Sequence, residues 1–317
     1  MESRKRKSSL NANTRTDLAL EIRESFEEDD VEISGVILEE DYLEDKDIKV
    51  TRVVIKDEKG QKAMNKPIGT YITIEAPRLQ EDDESYHQPL SDEIAKYIKE
   101  LVGDVSKGEV LVAGLGNRDI TPDCLGPKVV DNLFVTRHLI REFGDEFKER
   151  NEMQAMSAIA PGVMAQTGME TSEILKGIVQ ETKPKCIIVI DALAARSVTR
   201  LNTTIQITDT GISPGSGVGN HRNALNKDCL GTKVVAIGVP TVVDAATIVN
   251  DAMERFLQGK GFSEEEMYRF LDEVGDQSIQ NMFVTPKGID DAMKRISYTI
   301  SEALNQCFCK SLSNAAR

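Results

Sequence analysis

The chain has 317 residues, 40% hydrophobic and 29% charged, enough for one elaborated globular domain or two. Its net charge is −14, with +4 carried by residues 1–15 and therefore −18 by the remainder, an acidic body that repels nucleic acid and anionic membranes. No apolar run approaches the roughly 20 residues of a membrane span, no apolar core follows the basic N-terminus as a secretory signal requires, and five irregularly spaced cysteines fit a reducing cytoplasm.

Residues 1–15, which include Arg4-Lys5-Arg6-Lys7, are expected to be a solvated tail. Residues 16–29 begin a short helix with Leu18, Ile22 and Phe26 on one face. Three alternating runs follow between 30 and 78: VEISGVILEE, DIKVTRVVIKD and GTYITIEAP. They predict antiparallel strands, with a turn at Glu58-Lys59-Gly60. A polar linker is expected over 79–90, then a helix over 91–104 capped by Ser91.

From 109 the pattern changes to strands alternating with helices. Strands are expected over 109–113, 155–160, 186–190, 203–207 and 233–238. Helices are expected over 123–143, 168–181, 245–258, 263–274 and 286–306. Such a series predicts an α/β fold with a mainly parallel sheet and helices on both faces. The β-rich region 30–78 then extends that sheet or forms a small separate layer.

The stretch 109–127, EVLVAGLGNRDITPDCLGP, organises the chain. Its apolar run Val110–Ala113 suits a buried parallel strand. Gly114, Gly116 and Asn117 permit a sharp turn, and Pro122 opens a helix beside Asp123. A second acid, Asp191, ends the apolar strand Cys186–Ile190. Ligands of open parallel sheets bind at the carboxyl ends of strands, so two acids placed there can share a proton, one as base on water and one as acid. Each also has a plainer role, as the cap of a helix or a turn.

Other features carry less. The loop 208–225 ends in Asn220, His221 and Arg222, and His221 is a candidate ligand or base. With three histidines in the chain no multi-histidine metal site is expected. Asp244 reads as a helix cap, and Cys307 and Cys309 as ordinary thiols. GLGNRD fails as a dinucleotide fingerprint because Asp119 stands where the third glycine is needed. There is no P-loop, no GxSxG elbow and no HExxH.

GLGNRDITPDCLGP, IDALAAR, GVGNHRNAL and GVPTVVDA together resemble the germination protease family, the spore protease of endospore-forming bacteria, from about residue 16 to the C-terminus. More distantly, GNRDITPDCLG is similar to the GNxxxxDExxG loop of hydrogenase maturation proteases. Their metal-binding glutamate and aspartate fall at Asp123 and Asp191. The resemblance implies a phosphorylase/hydrolase-like α/β fold and a cytoplasmic endopeptidase of the forespore and spore core. It would be made as an inactive tetrameric zymogen and cut small acid-soluble spore proteins at germination. An atypical aspartic mechanism with Asp123 and Asp191 catalytic is implied, without cofactor or metal, since His221 has no match among the relatives' ligands.

On this reading residues 1–17 are a propeptide and 18–317 the peptidase domain, with 30–78 contributing to a homotetramer. Residues 16–21, Thr-Asp-Leu-Ala-Leu-Glu, match in kind the Thr-Glu-(Ile/Phe)-Ala-Ser-Glu sites cut in the small acid-soluble proteins. The expected self-processing site is therefore the Asp17–Leu18 bond, and the departing segment carries +3. Two alternatives stand beside this. One is a metal-dependent maturation-type protease on the same fold, and the other a phosphorylase or nucleotide-binding module on a similar sheet.

Overall fold

The computed structural model describes residues 16–24, 33–106, 108–215, 222–260, 266 and 282–309. The elements run α1 (Ala19–Glu24), β1 (Val36–Leu43), β2 (Ile48–Ile55), α2 (Glu58–Met64), β3 (Gly69–Glu75), α3 (Glu84–Val102), β4 (Glu109–Gly114), α4 (Leu125–Asp131), α5 (Arg137–Arg150) and β5 (Ala155–Ile159). They continue with α6 (Met164–Thr167), α7 (Thr171–Thr182), β6 (Cys186–Ala195), β7 (Thr204–Thr208), α8 (Lys227–Leu230), β8 (Lys233–Asp244), α9 (Ala245–Gly259), β9 (Phe283–Val284) and α10 (Ile289–Phe308).

All the described strands join one sheet in the order β1-β2-β3-β7-β8-β6-β4-β5, with β9 added to β8. The β-rich region is thus an extension of the main sheet. One half, β8-β6-β4-β5, is parallel. The other, β1-β2-β3-β7, is antiparallel and joins β8 through an antiparallel ladder. β7, expected within the strand–helix series, belongs to this second half.

Period-2 alternation sends successive side chains of a strand to opposite faces. Val110, Val112, Ile188 and Ile190 pack with α3, α4 and α10 on one face. Leu111, Ala113, Ile187 and Val189 pack with Leu175 of α7 and Leu230 of α8 on the other. A further cluster joins Ala19 of α1 and Met64 of α2 to Val53, Ile55 and Tyr71. Helices therefore cover both faces.

Three expectations are corrected. The turn at Glu58-Lys59-Gly60 is instead the start of α2, because the Asp57 carboxylate caps it, accepting from the Lys59 and Gly60 N–H groups at 2.9 and 3.0 Å. The linker and Ser91 cap are overturned by α3, which starts at Glu84 under an Asp83 cap. Tyr86, Leu90, Ile94, Ile98 and Leu101 form its buried stripe straight across Pro89, and Ser91 lies inside, donating to the His87 carbonyl at 2.9 Å. The single helix expected over 123–143 is broken between α4 and α5. There Phe134 N–H donates to Asn305 at 3.0 Å and Thr136 N–H to the Met156 carbonyl at 3.0 Å, drawing the chain against α10 and β5. Asp244 caps α9 as expected, accepting from Ala246 N–H at 2.8 Å. His138 lies exposed on α5. The helix expected over 263–274 falls, apart from Glu266, outside the described residues, as do Phe26 and His221.

Candidate active site

β4 stops at Gly114, and backbone meets backbone there. A side chain on Gly114 would collide with the Gly126 carbonyl, and one on Gly126 with Leu115. α4 thus seats its first turn against the end of the strand. The intervening loop turns at Gly116, whose φ of 106° favours glycine and whose missing Cβ leaves room for Asp123. Asp123 ends a single 3₁₀ turn, Thr121–Asp123, and accepts from the Asn117 N–H at 2.8 Å. Two more bonds tie this turn down: Thr241 donates to the Pro122 carbonyl at 2.7 Å, and Thr121 to Asp290 at 2.9 Å.

Asp191 was expected at the end of its strand. β6 instead runs on to Ala195, so Asp191 lies within it, paired in register with Gly238 of β8 and one residue beyond the last β4 partner, Ile190. It is 5% exposed. Burial pushes its carboxyl well above the ordinary aspartate range. The charges of Asp123 and then Asp17 push the same way, while the Ala192 N–H and Arg222 oppose. Burial also raises Asp123, against the Asn117 N–H and Arg222. Two neighbouring acids, both held toward the neutral form, have the electrostatics of a proton-sharing pair. The cavity they line, about 410 Å³, also takes in Asp17, Pro122, Thr241 and Arg222.

Asp17 reaches this cavity because residues 16–24 are stitched to the sheet. Its N–H donates to the Ala194 carbonyl at 3.0 Å, and its carboxylate accepts from the Ala194 N–H at 3.0 Å. Leu18 is fully buried against Leu193, Ala195, Leu201 and Val243. Ala19 is buried in the cluster under α2. The Glu21 carboxylate accepts from the Arg196 and Ser197 N–H groups at 2.8 and 2.9 Å, and from the Thr16 hydroxyl. The positions that define the Thr-Asp-Leu-Ala-Leu-Glu pattern are thus the ones held. α1 starts at Ala19, so the segment is a helix start as well.

A model of the germination protease family matches residues 12–266. The chain belongs to the germination protease family. The germination protease of Caldanaerobacter subterraneus subsp. tengcongensis is 47% identical over 310 residues, covering 92% of this chain and 93% of that protein. That of Clostridium perfringens (strain 13 / Type A) is 44% identical over 309 residues, covering 92% and 94%. That of Bacillus cereus (strain ATCC 10987 / NRS 248) is 41% identical over 318 residues, covering 92% and 85%. Among solved structures, a [NiFe] hydrogenase maturation protease, HycI, from Thermococcus kodakarensis KOD1 matches with a TM-score of 0.33 and 15% identity, over 66% of this chain and 99% of that one.

As a member of the germination protease family the chain is a protease, and the phosphorylase and nucleotide-binding readings fall. Two residues at the site escaped the sequence reading. Arg222 lines the cavity and acts on both acids, a role that nothing local in its loop signals. Thr241, in the GVPTVVDA motif, anchors the loop that carries Asp123. Among the described residues no three His, Cys, Asp or Glu side chains come together as a metal-binding group. No described helix is long and apolar enough to cross a membrane.

Proposed function

We propose that this germination protease is an Asp-dependent endopeptidase of small acid-soluble spore proteins, made as a zymogen in the forespore that first cuts its own Asp17–Leu18 bond. The observation that carries the proposal is the position of Asp17, on the wall of the cavity that also holds Asp123 and Asp191. One carboxyl, ionised, takes a proton from water as the water oxygen adds to the carbonyl carbon. The other, protonated, gives its proton to the leaving nitrogen as the C–N bond breaks. Asp191, buried and beside two other acids, suits the protonated role, and Asp123, partly exposed and near Arg222, the ionised one.

The assembly proposed is a homotetramer. Among the described strands β1 lies at an edge of the sheet with one side unpaired, which a second copy would cover. Light scattering that finds a monomer at micromolar concentration rules this out.

The test is direct. Incubate the purified full chain at mildly acid pH, sequence the new N-terminus, and then offer a purified acid-soluble spore protein. The expected product begins at Leu18, and the matured enzyme cleaves the spore protein. A different new N-terminus overturns the processing site, and an intact spore protein overturns the substrate. Chelator followed by added metal tests the metal-dependent alternative, and cleavage unaffected by both is expected.

A further inference from the structure

We propose that Lys66 and Gln206 are the oxyanion site for cleavage of the Asp17–Leu18 bond. The inference rests on the reading that this bond is the one cut. The carbonyl oxygen of Asp17 accepts two hydrogen bonds, from Lys66 Nζ at 3.0 Å and from Gln206 Nε2 at 3.3 Å. The other end of the same amide, Gln206 Oε1, accepts from the Ala19 N–H at 2.8 Å. One side chain thus brackets the bond, a donor to its carbonyl and an acceptor from the next amide along the chain. The opposite amide orientation would lose both contacts.

Both donors are held before reaction begins. Gln206 lies in β7 between β3 and β8, paired in register with Thr73 and Gly238, and is 7% exposed. Lys66 follows the left-handed Asn65 that ends α2 and precedes Pro67, which restricts its backbone to extended conformations. The residue as a whole is half-buried, but its ammonium end is enclosed. Burial pushes its pKa below the ordinary lysine value, with the Asp17 charge pulling back. A cation kept in such a place gains more from a developing negative oxygen than from a neutral carbonyl, which is what transition-state stabilisation requires.

Donors and acids meet at Asp17. Asp17 lines the cavity of Asp123 and Asp191, and it also lines a second cavity with Lys66, Gln206 and Tyr71. The step balances as follows. Water oxygen adds to the Asp17 carbonyl carbon, its proton passing to the ionised carboxylate. The carbonyl π pair moves to oxygen, where the Lys66 and Gln206 N–H groups hold it. The pair returns, the C–N bond breaks, and the Leu18 nitrogen takes a proton from the second carboxyl.

The experiment follows first-order loss of residues 1–17 from the full chain by intact mass, in wild type, Lys66→Met, Lys66→Arg, Gln206→Leu and Gln206→Glu, with circular dichroism as the check on folding. Lys66→Met and Gln206→Leu are expected to slow cleavage by about 10²–10³-fold each, the size seen when one oxyanion donor is removed. Lys66→Arg should keep most of the rate. The alkaline limb of the profile belongs to the protonated carboxyl and should persist in every variant. Lys66→Met should lower the rate at all pH values with the Ala19 N–H still as protected from hydrogen exchange as in wild type, which loss of a lysine that only fastened the segment would not leave. If Gln206→Leu misfolds, Gln206→Glu keeps the shape and removes the donor. Wild-type rates in folded Lys66→Met, or a folded Lys66→Arg as slow as Lys66→Met, overturn the proposal while the protease reading stands. A wild type that never cuts at Leu18 overturns the processing site, and this inference with it.

Discussion

The two halves of the sheet handle charge in opposite ways. In the parallel half, Asp191 is sealed within β6 with a second acid nearby, and burial holds both toward the neutral form. In the antiparallel half, charges meet partners: Arg200 faces Glu24 at 2.6 Å, Glu75 at 3.6 Å and Glu21 at 3.8 Å. A buried ionisable group held toward its neutral form costs stability and marks a candidate for chemistry, whereas a compensated cluster fixes position. On the proposed mechanism the parallel half carries the reacting acids, and the antiparallel half holds the N-terminal segment against them.

The strongest way to break this division is to neutralise the acids. Asp123→Asn and Asp191→Asn are each expected to lower the rate of self-cleavage by three orders of magnitude or more while leaving the fold intact, because both proton-transfer roles need a titratable oxygen. Intact mass against time checks this. A variant that matures at the wild-type rate removes that residue from the mechanism.

What was legible in the chain follows the same division. The parallel strands announced themselves as short apolar runs ending in glycine or an acid, which singled out Asp191 at one run and Asp123 in the loop after another. The antiparallel strands were legible as alternation, but their consequence was not. Lys66 and Gln206 lie 49 and 189 residues from Asp17 in sequence, and no local period encodes a contact of that range. The extension of β6 to Ala195 was hidden because Asp191 reads as a stop after IIVI. Only pairing with β8 carries the strand through it. Pro89 hid the first turns of α3 in the same manner, since tertiary burial of Tyr86 and Leu90 outweighs one missing N–H.

Glu21→Gln tests the anchoring half. It keeps an acceptor for only one of the Arg196 and Ser197 N–H groups, which bond different oxygens, and removes the charge facing Arg200. Self-cleavage is expected to slow by about tenfold or more, the effect of a lost charge-assisted contact, with the pH profile unmoved. A profile that shifts would mean Glu21 belongs with the reacting acids and would blur the two halves.

Arg222→Gln acts in the other direction. Arg222 lowers both Asp123 and Asp191, so its loss raises both. The limbs of the self-cleavage pH profile are expected to move upward, with little change in the maximal rate. Limbs that stay in place would detach Arg222 from the pair.

The smallest effect concerns stability. Asp191 has its folded pKa raised well above the unfolded value, so between those two values the native state binds more protons than the unfolded one. Stability attributable to this group therefore falls as pH rises from the unfolded pKa, about 3.9, through the folded pKa, and is not regained above it. Asp191→Asn removes that dependence. The variant should match wild type in melting temperature most closely near pH 3.5 and below, where Asp191 is largely protonated in both states. It should melt a few degrees higher near pH 8, the scale expected for about 1 kcal/mol in a chain of this size. Thermal unfolding at the two pH values decides it. A variant that melts lower than wild type at pH 8 would mean the Asp191 carboxylate is stabilised where it lies, and the parallel half would then handle its charge as the antiparallel half does.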